Sequence, residues 1–437
     1  MNLAEQVHRA GVMGAGGAGF PTHGKLSGRA EIVIANGAEC EPLLHKDAAI
    51  MKNHAAALVR GVQRAMEAVG ASEVVIAFKA ERVRAVEAVQ AACRGTAIRM
   101  HLLGDYYPAG DEYDLVYTVT GRLIPSRGIP LNVGVLVSNV EAFVNVAAAA
   151  DGRPVTHKTL TIASAVRNPV TLRVPIGTPY RDCIAAAEGL LTDEPVLVIG
   201  GLMMGQVTDD LDTPVTKTAT GVVILPRSHP VIRRKLMPDN LRARIGRSAC
   251  DQCRYCAEYC PRYLLGYAVE PHQVMRTLAF TASGAELLSR WAALCCACGL
   301  CTLYACPEEL YPKEACDEAR AYLRRAGIPW TGSTRVRPHP MRERRRVPIR
   351  SLIRRLHVTE FDRPAPLRDV TLSPARLTLP LRQSAGAPCI PRVRTGQRAH
   401  AGQVIGLPPE GTLGAQLHAP VHATVRTVTD QEILPEP

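Results

Sequence analysis

Residues 250–261 read CDQCRYCAEYCP and residues 295–307 read CCACGLCTLYACP, and the spacing of these cysteines decides what the middle of the chain folds around. Cys250, Cys253, Cys256 and Cys260, followed by Pro261, fit C-x-x-C-x-x-C-x-x-x-C-P without deviation. Cys295, Cys298, Cys301 and Cys306, followed by Pro307, keep the spacing of the first three and add one residue before the last. Thiolates at i, i+3 and i+6 on one tight loop, with a fourth arriving from elsewhere, suit a cube of iron and sulfide. Structural zinc ribbons space their thiolates as two separated C-x-x-C pairs, a poorer match. Two [4Fe–4S] centres are therefore expected.

Where two such runs occur together, the fourth cysteine of each ligates the other cluster. That places Cys250, Cys253, Cys256 and Cys306 on one centre and Cys295, Cys298, Cys301 and Cys260 on the other. Cys296 is the alternative to Cys295, and Cys316 is read as a bystander. Ten of the fourteen cysteines lie between Cys250 and Cys316, while Cys40, Cys93, Cys183 and Cys389 are isolated. Clustered cysteines in a large chain read as metal sites rather than a disulfide framework.

The 437 residues suggest two to four domains, and 47% apolar against 21% charged residues supply ample cores. Net charge is +12, of which residues 335–368 hold +8, from eleven Arg against Glu343, Glu360 and Asp362. Aromatic residues are only 4% and do not interleave with those arginines, so nucleic-acid binding by stacking is not expected. Residues 291–307 form the longest uncharged run and are interrupted by cysteines, short of a membrane span. The N-terminus lacks a basic segment followed by an apolar one, so no secretion signal is expected and the reading is cytoplasmic.

Outward from the cysteines, the texture changes four times. EIVIAN (31–36), EVVIAF (73–78) and GVLVSN (134–139) are strand-like, with helical spacings over 47–69 and 82–94 between them; this predicts βαβ crossovers and a mostly parallel sheet. Residues 157–225 contain short β runs and a helix near 180–191, a small α+β domain. A long helix is expected over 271–294. The Arg/Pro-rich stretch is read as a linker wrapping acidic faces of its own chain, with docking to an acidic partner as the alternative. Residues 369–437 predict a small barrel.

GAGGAGFP (14–21), followed by Thr22, His23, Gly24 and Lys25, offers bare backbone N–H groups and a cation to a phosphate or an electron-rich ring. The strand 31–36 delivers Asn36 and the run GAECEP (37–42) at its C-terminal end, where open α/β sheets bind ligands. With these, YPAGDE (107–112) and SNVE (138–141) resemble, in the same order, the flavin-binding signatures of the NADH-binding flavoprotein subunit of respiratory complex I. The paired cysteine runs and GGLMMGQVTDDLDTPVTKTATGVVILP (200–226) are more similar to two bacterial families, the RnfC-like subunits of Rnf-type electron transport complexes and the cobalamin reductases of propanediol-utilisation microcompartments.

The resemblance implies a multidomain α/β protein: a Rossmann-like FMN/NADH-binding domain (1–152), an SLBB-type β-grasp domain (153–235), a helical two-[4Fe–4S] ferredoxin-type domain (236–330), the Arg/Pro-rich linker (331–368) and a barrel-sandwich hybrid (369–437). It implies Gly14, Gly16, Gly17 and Lys25 on the flavin phosphate and ring edge, Asn36 and Asn139 on the ring or ribityl chain, and Glu39 among the flavin contacts. Tyr107, Gly110, Asp111 and Glu112 would border the nicotinamide. Ala38, Cys40, Asp111 and Ala142 depart from the complex I pattern.

A biotinyl- or lipoyl-type barrel would carry its group on a lysine, but the last lysine of this chain is Lys313, which excludes covalent attachment and favours docking. His418 and His422 flank its hairpin and are read as surface imidazoles. The barrel at the C-terminal end, with YPAGDE, favours the cobalamin-reductase branch. That branch implies NADH as electron donor, FMN, two clusters, and a noncovalent cobalamin or an electron-accepting protein as acceptor. It further implies an adenosyltransferase or shell protein as partner and a location inside a bacterial microcompartment. The alternatives are a peripheral Rnf-like subunit passing electrons between NADH and ferredoxin, and a non-catalytic metal-cluster scaffold.

Overall fold

The structure is a computed structural model that describes residues 1–278 and 285–437. Its N-terminal domain is built on four parallel strands in the order Arg99–Leu103, Glu73–Lys79, Ile32–Gly37, Val135–Asn139. The three apolar strands are buried on both faces, as crossover helices on either side require. Helices Leu3–Arg9, Ala55–Val69 and Val140–Ala150 cover one face; Leu115, Val116 and Val119 of Glu112–Thr120 cover the other. Ala55–Val69 and Val140–Ala150 approach so closely that a Cβ on Gly61 would fall 1.9 Å from the Phe143 carbonyl oxygen.

The helical spacings over 47–69 resolve into two helices, Lys46–Asn53 and Ala55–Val69, broken at His54. There the Asn53 amide donates to the Ala49 carbonyl (2.7 Å), a side-chain bond that competes with the backbone ladder.

The second domain has five strands. Taken in chain order, its sheet runs second, first, fifth, third, fourth, with the first (His157–Ser164) parallel to the fifth (Gly221–Pro226) and the other pairs antiparallel. Helix Tyr180–Ala186 lies between the second and third strands and packs Tyr180, Cys183 and Ile184 against them, the β-grasp arrangement.

The cysteine-rich domain differs from expectation in one element. The segment expected as a long helix starts as Pro271–Met275 and ends through Ala285–Ser289 and a turn at Arg290–Ala292; its middle, 279–284, lies outside the described residues. The Glu270 N–H donates to the Trp291 carbonyl (3.2 Å), which folds the two ends together. A continuous helix of that length would hold them roughly 30 Å apart.

The basic segment is an ordered strap rather than a solvated linker. Val347–Pro348 pairs with Tyr106–Tyr107 of the first domain, and helix Ile349–Arg355 buries Ile349, Leu352 and Ile353. Arg342 is 5% exposed; it pairs with Asp114 (2.5 Å) and Glu343 and lies 4.8 Å over the Tyr117 ring. Arg346 stacks on Tyr106, and Arg345 pairs with Glu258 of the cysteine domain. The expectation that the arm wraps its own chain thus fits, in the form of buried pairs.

The last domain folds as two antiparallel sheets of four and three strands. Ile405, Leu417, Val425 and Ile433 share one core with Val7 and Val12 of the first domain. His418 is 4% exposed, whereas His422 is exposed. The surface reading therefore holds only for His422, because the barrel docks on the His418 side, where the Lys217 ammonium reaches Gly11 O (2.8 Å) and Gln416 O (2.7 Å).

Candidate functional site

Strand order reverses between Ile32–Gly37 and Val135–Asn139, so their C-terminal ends form a crevice of the kind that holds ligands in open α/β sheets. Asn36 and Asn139 are register partners at its floor. The Asn36 amide donates to the Gly110 carbonyl (3.0 Å), and its oxygen accepts from Ala38 N–H (3.1 Å). Asn139 caps helix Val140–Ala150 by accepting from Glu141 N–H (3.0 Å) and donates to Asp47 (2.9 Å).

The glycine loop arches over this floor, closed by Gly14 N–H on the Phe20 carbonyl (2.8 Å). Gly17 has φ +122 and nothing within 4 Å of where a Cβ would stand, while a Cβ on Gly16 would come 3.4 Å from Asn139 Cβ. Any side chain at these two positions would fill the cradle or crowd Asn139. The Lys25 ammonium donates to the Val137 carbonyl (2.8 Å) and pairs with Glu112 (3.1 Å) across the crevice. The buried Ser138 hydroxyl, one residue before Asn139, has no hydrogen-bond partner among the described residues. Bare backbone, a cation and an orphaned hydroxyl fit a phosphorylated flavin.

The other expected contacts are already engaged. The Glu39 carboxylate accepts from Asp47 N–H (2.7 Å) and Ala48 N–H (3.2 Å), capping helix Lys46–Asn53. Asp111 caps helix Glu112–Thr120 and pairs with Arg262 of the cysteine domain (2.9 Å); burial pushes its pKa up. The Tyr107 hydroxyl donates to the Cys298 carbonyl (2.8 Å), inside the second cysteine run. Gly110 lies against Ala38, Cys40 and Asn36.

Four charged residues beneath the loop escape a reading of sequence alone. Lys46, Asp47, Glu141 and Lys158 are each at most 6% exposed. Lys46 pairs with Asp47 (2.5 Å) and Glu141 (3.2 Å), and Lys158 with Glu141 (2.5 Å). Lys158 comes from the second domain and also donates to the Ala15 carbonyl of the glycine loop (3.2 Å). The neighbouring Thr159 N–H donates to the other Glu141 oxygen (3.1 Å). The one available signal was Glu141 in SNVE, an acidic residue in the first turn of an apolar helix.

Around the cysteines, the two runs cross. Cys250, Cys253, Cys256 and Cys306 line a single recess with Gln252, His272 and Met275. Cys260 lies close to Cys296 and Cys295, and Cys301 close to Cys295, Cys256 and Cys260. Cys298 meets Cys296 and faces Cys260 and Cys301; Cys316 hydrogen-bonds with Cys295. Burial and the neighbouring cysteines push the thiols of Cys256, Cys260 and Cys301 up. Among the described residues, no three His, Cys, Asp or Glu side chains converge closely enough for one metal ion. Cys301–Ala305 forms a π-helical turn that accommodates the extra residue before Cys306.

Comparison with known proteins finds three families along the chain. Residues 7–148 match the Nuo51 FMN-binding domain, 249–311 a 4Fe-4S dicluster domain and 357–436 the RnfC barrel sandwich hybrid domain. The chain is 40% identical to the cobalamin reductase PduS of Salmonella typhimurium, over 99% of this chain and 95% of that one. It is 38% identical to that of Citrobacter freundii over the same shares. The RnfC-like subunit of the proton-translocating ferredoxin:NAD(+) oxidoreductase complex of Clostridium ljungdahlii is 33% identical over 59% of this chain and 55% of its own. Among solved structures, an NAD+-reducing [NiFe]-hydrogenase in the H2-reduced state aligns at TM-score 0.48 and 20% identity, covering 75% of this chain and 66% of that one.

Proposed function

The chain belongs to the family of the cobalamin reductase PduS, a flavin and iron–sulfur oxidoreductase family, and from that premise we propose that it draws electrons from NADH and delivers them to the cobalt of a noncovalently bound cobalamin. FMN bound in the crevice supplies hydride acceptance and single-electron release, and two bound [4Fe–4S] clusters supply one-electron carriage.

The chain's own residues divide the work as follows. Gly14, Gly16 and Gly17 bring backbone to the flavin, Asn36 and Asn139 set the crevice floor, and Lys25 with Glu112 stands at the mouth where a nicotinamide would enter. Cys250, Cys253, Cys256 and Cys306 hold one cluster, and Cys260, Cys295, Cys298 and Cys301 the other. The observation that carries the reading is the pair of direct bonds from the YPAGDE segment into the cysteine domain: Tyr107 to the Cys298 carbonyl and Asp111 to Arg262. They tie the flavin crevice to the loop of the second cluster, which supports that cluster as the first acceptor.

NADH as donor, cobalamin as acceptor and residence in a microcompartment are supported by the family alone. Among the described residues no helix is long and apolar enough to cross a membrane. Anaerobic reconstitution tests the proposal. Flavin and cluster absorption should bleach with NADH, and single-turnover reduction of aquacobalamin should outpace that of ferredoxin. Reduction of ferredoxin alone would favour the Rnf-like reading, and a colourless zinc protein would leave only a scaffold.

A further inference from the structure

We propose that Lys158, supplied by the β-grasp domain, is a positioning residue of the flavin site: it holds the glycine loop in its binding conformation through the Ala15 carbonyl. The inference rests on the assignment of FMN to the crevice.

Glu141 shares Lys46 (3.2 Å) with Asp47 (2.5 Å) and takes a backbone donor from Thr159 N–H (3.1 Å), so Lys158 balances the second carboxylate, and that role has to be separated from its bond to the loop. Lysine carries three donors; one goes to Glu141 and another to Ala15, the second residue of GAGGAG. Ala15 is 2% exposed and Lys158 is 2% exposed, so no water competes for that bond. Ala15 immediately precedes Gly16 and Gly17, the two positions where a side chain would occupy the cradle. From the far end the loop is held by a second foreign domain, the Ala385 N–H donating to the Gly19 carbonyl (2.9 Å). Just outside these anchors the loop is closed by its own bond from Gly14 N–H to the Phe20 carbonyl (2.8 Å). Lys158 also reaches the crevice floor, through Glu141 to Lys46 and from Lys46 to Asn139 (3.3 Å). One ammonium therefore sets both roof and floor, and a flavin pocket formed by the first domain depends on docking of the second.

Three full-length proteins with clusters reconstituted anaerobically test this: wild type, Lys158→Met, and Lys158→Met with Glu141→Gln. FMN is removed and titrated back, with dissociation constant, visible circular dichroism of the bound flavin, iron content and melting temperature recorded. Lys158→Met should weaken FMN by about tenfold to a hundredfold, the loss expected when a buried carbonyl forfeits a charged donor, with altered flavin dichroism and wild-type iron. The double variant leaves no carboxylate short of a cation, so it should melt near wild type while FMN binding stays weak. Wild-type FMN affinity and dichroism in the double variant would overturn the proposal, since Lys158 would then serve only Glu141. Failure of the wild-type chain itself to bind FMN would instead remove the flavin assignment on which the proposal stands.

Discussion

Gly61→Ala is the sharpest test of how the first domain is assembled, because two effects of opposite sign meet there. Gly61 lies inside helix Ala55–Val69, where alanine is favoured over glycine by about 1 kcal/mol. An added Cβ would stand 1.9 Å from the carbonyl oxygen and 2.7 Å from the carbonyl carbon of Phe143. A carbon–oxygen contact tolerates about 3.3 Å, so the helices must part by roughly 1.4 Å. The obstacle is backbone of a packed helix and cannot rotate away. Overpacking of this kind costs about 1–3 kcal/mol and sometimes more; with backbone as the obstacle the upper end applies, and less the propensity gain of about 1 kcal/mol the variant is left about 1–2 kcal/mol less stable. Helix Val140–Ala150 is also the one Asn139 caps, so the shift moves the crevice floor. Urea titration followed by flavin fluorescence should show FMN released at lower urea than in wild type. Gly70→Ala, at a helix end with φ +69 and open space around the new atom, should cost about 1 kcal/mol and leave FMN affinity unchanged. A Gly61→Ala protein as stable as wild type would refute the close-packing argument.

Cys306→Ser should abolish the same cluster signal as Cys253→Ser, and Cys260→Ser the other one, as read by iron content and low-temperature EPR; loss of one common signal in Cys306→Ser and Cys301→Ser would rule out the crossing. Arg342→Ala leaves Asp114 buried with only the Tyr106 hydroxyl (2.6 Å), a loss of about 3–5 kcal/mol that should expose residues 331–346 to protease, while Arg342→Met with Asp114→Asn should recover most of it; equal protease resistance in Arg342→Ala and wild type would contradict the strap. Burial lowers the pKa of His45 and His157 to about 4 and of His418 to about 3. The unfolded chain therefore takes up protons that the folded chain refuses, and stability falls as pH drops from 6.5 towards 4. Glu41, raised to about 7 by burial, opposes this by gaining stability as pH falls through 7 to 4.5. Net uptake of roughly two protons on unfolding near pH 5.5 should appear as a declining urea midpoint, and a flat midpoint between pH 6.5 and 5 would contradict it.

The features legible in the sequence are those written at short range. Thiolate spacing leads to the proposed crossed pairing of the two runs, and Cys250, Cys253, Cys256 and Cys306 line one recess. Buried parallel strands gave three of four members of the first sheet. The fourth, Arg99–Leu103, is a half-exposed edge strand of mixed polarity and carries no apolar run to read. The segment 271–294 has helical composition at both ends, and among the described residues the bond from Glu270 N–H to the Trp291 carbonyl and the packing of Val274 and Met275 with Ala292 bring those ends together, which periodicity does not reveal. Lys158 is the clearest case. A lysine in a strand reads as solvent-facing by alternation, yet His157–Ser164 is buried along nearly its whole length because another domain covers its outer face. Its partners lie 17 and 143 positions away. Contacts between domains are set by docking, and docking leaves no local pattern. The arginines of the strap were visible as charge, but their acidic partners Asp114 and Glu258 belong to two different domains.

The bond from Ala385 to Gly19 makes the flavin loop a late product of translation. Residue 19 leaves the ribosome long before residue 385, and the cysteine runs are complete in between, so a nascent or prematurely terminated chain can load iron while its flavin loop still lacks the brace. In such a chain Lys158 can already hold Ala15, and the contact from the last domain is the one still missing.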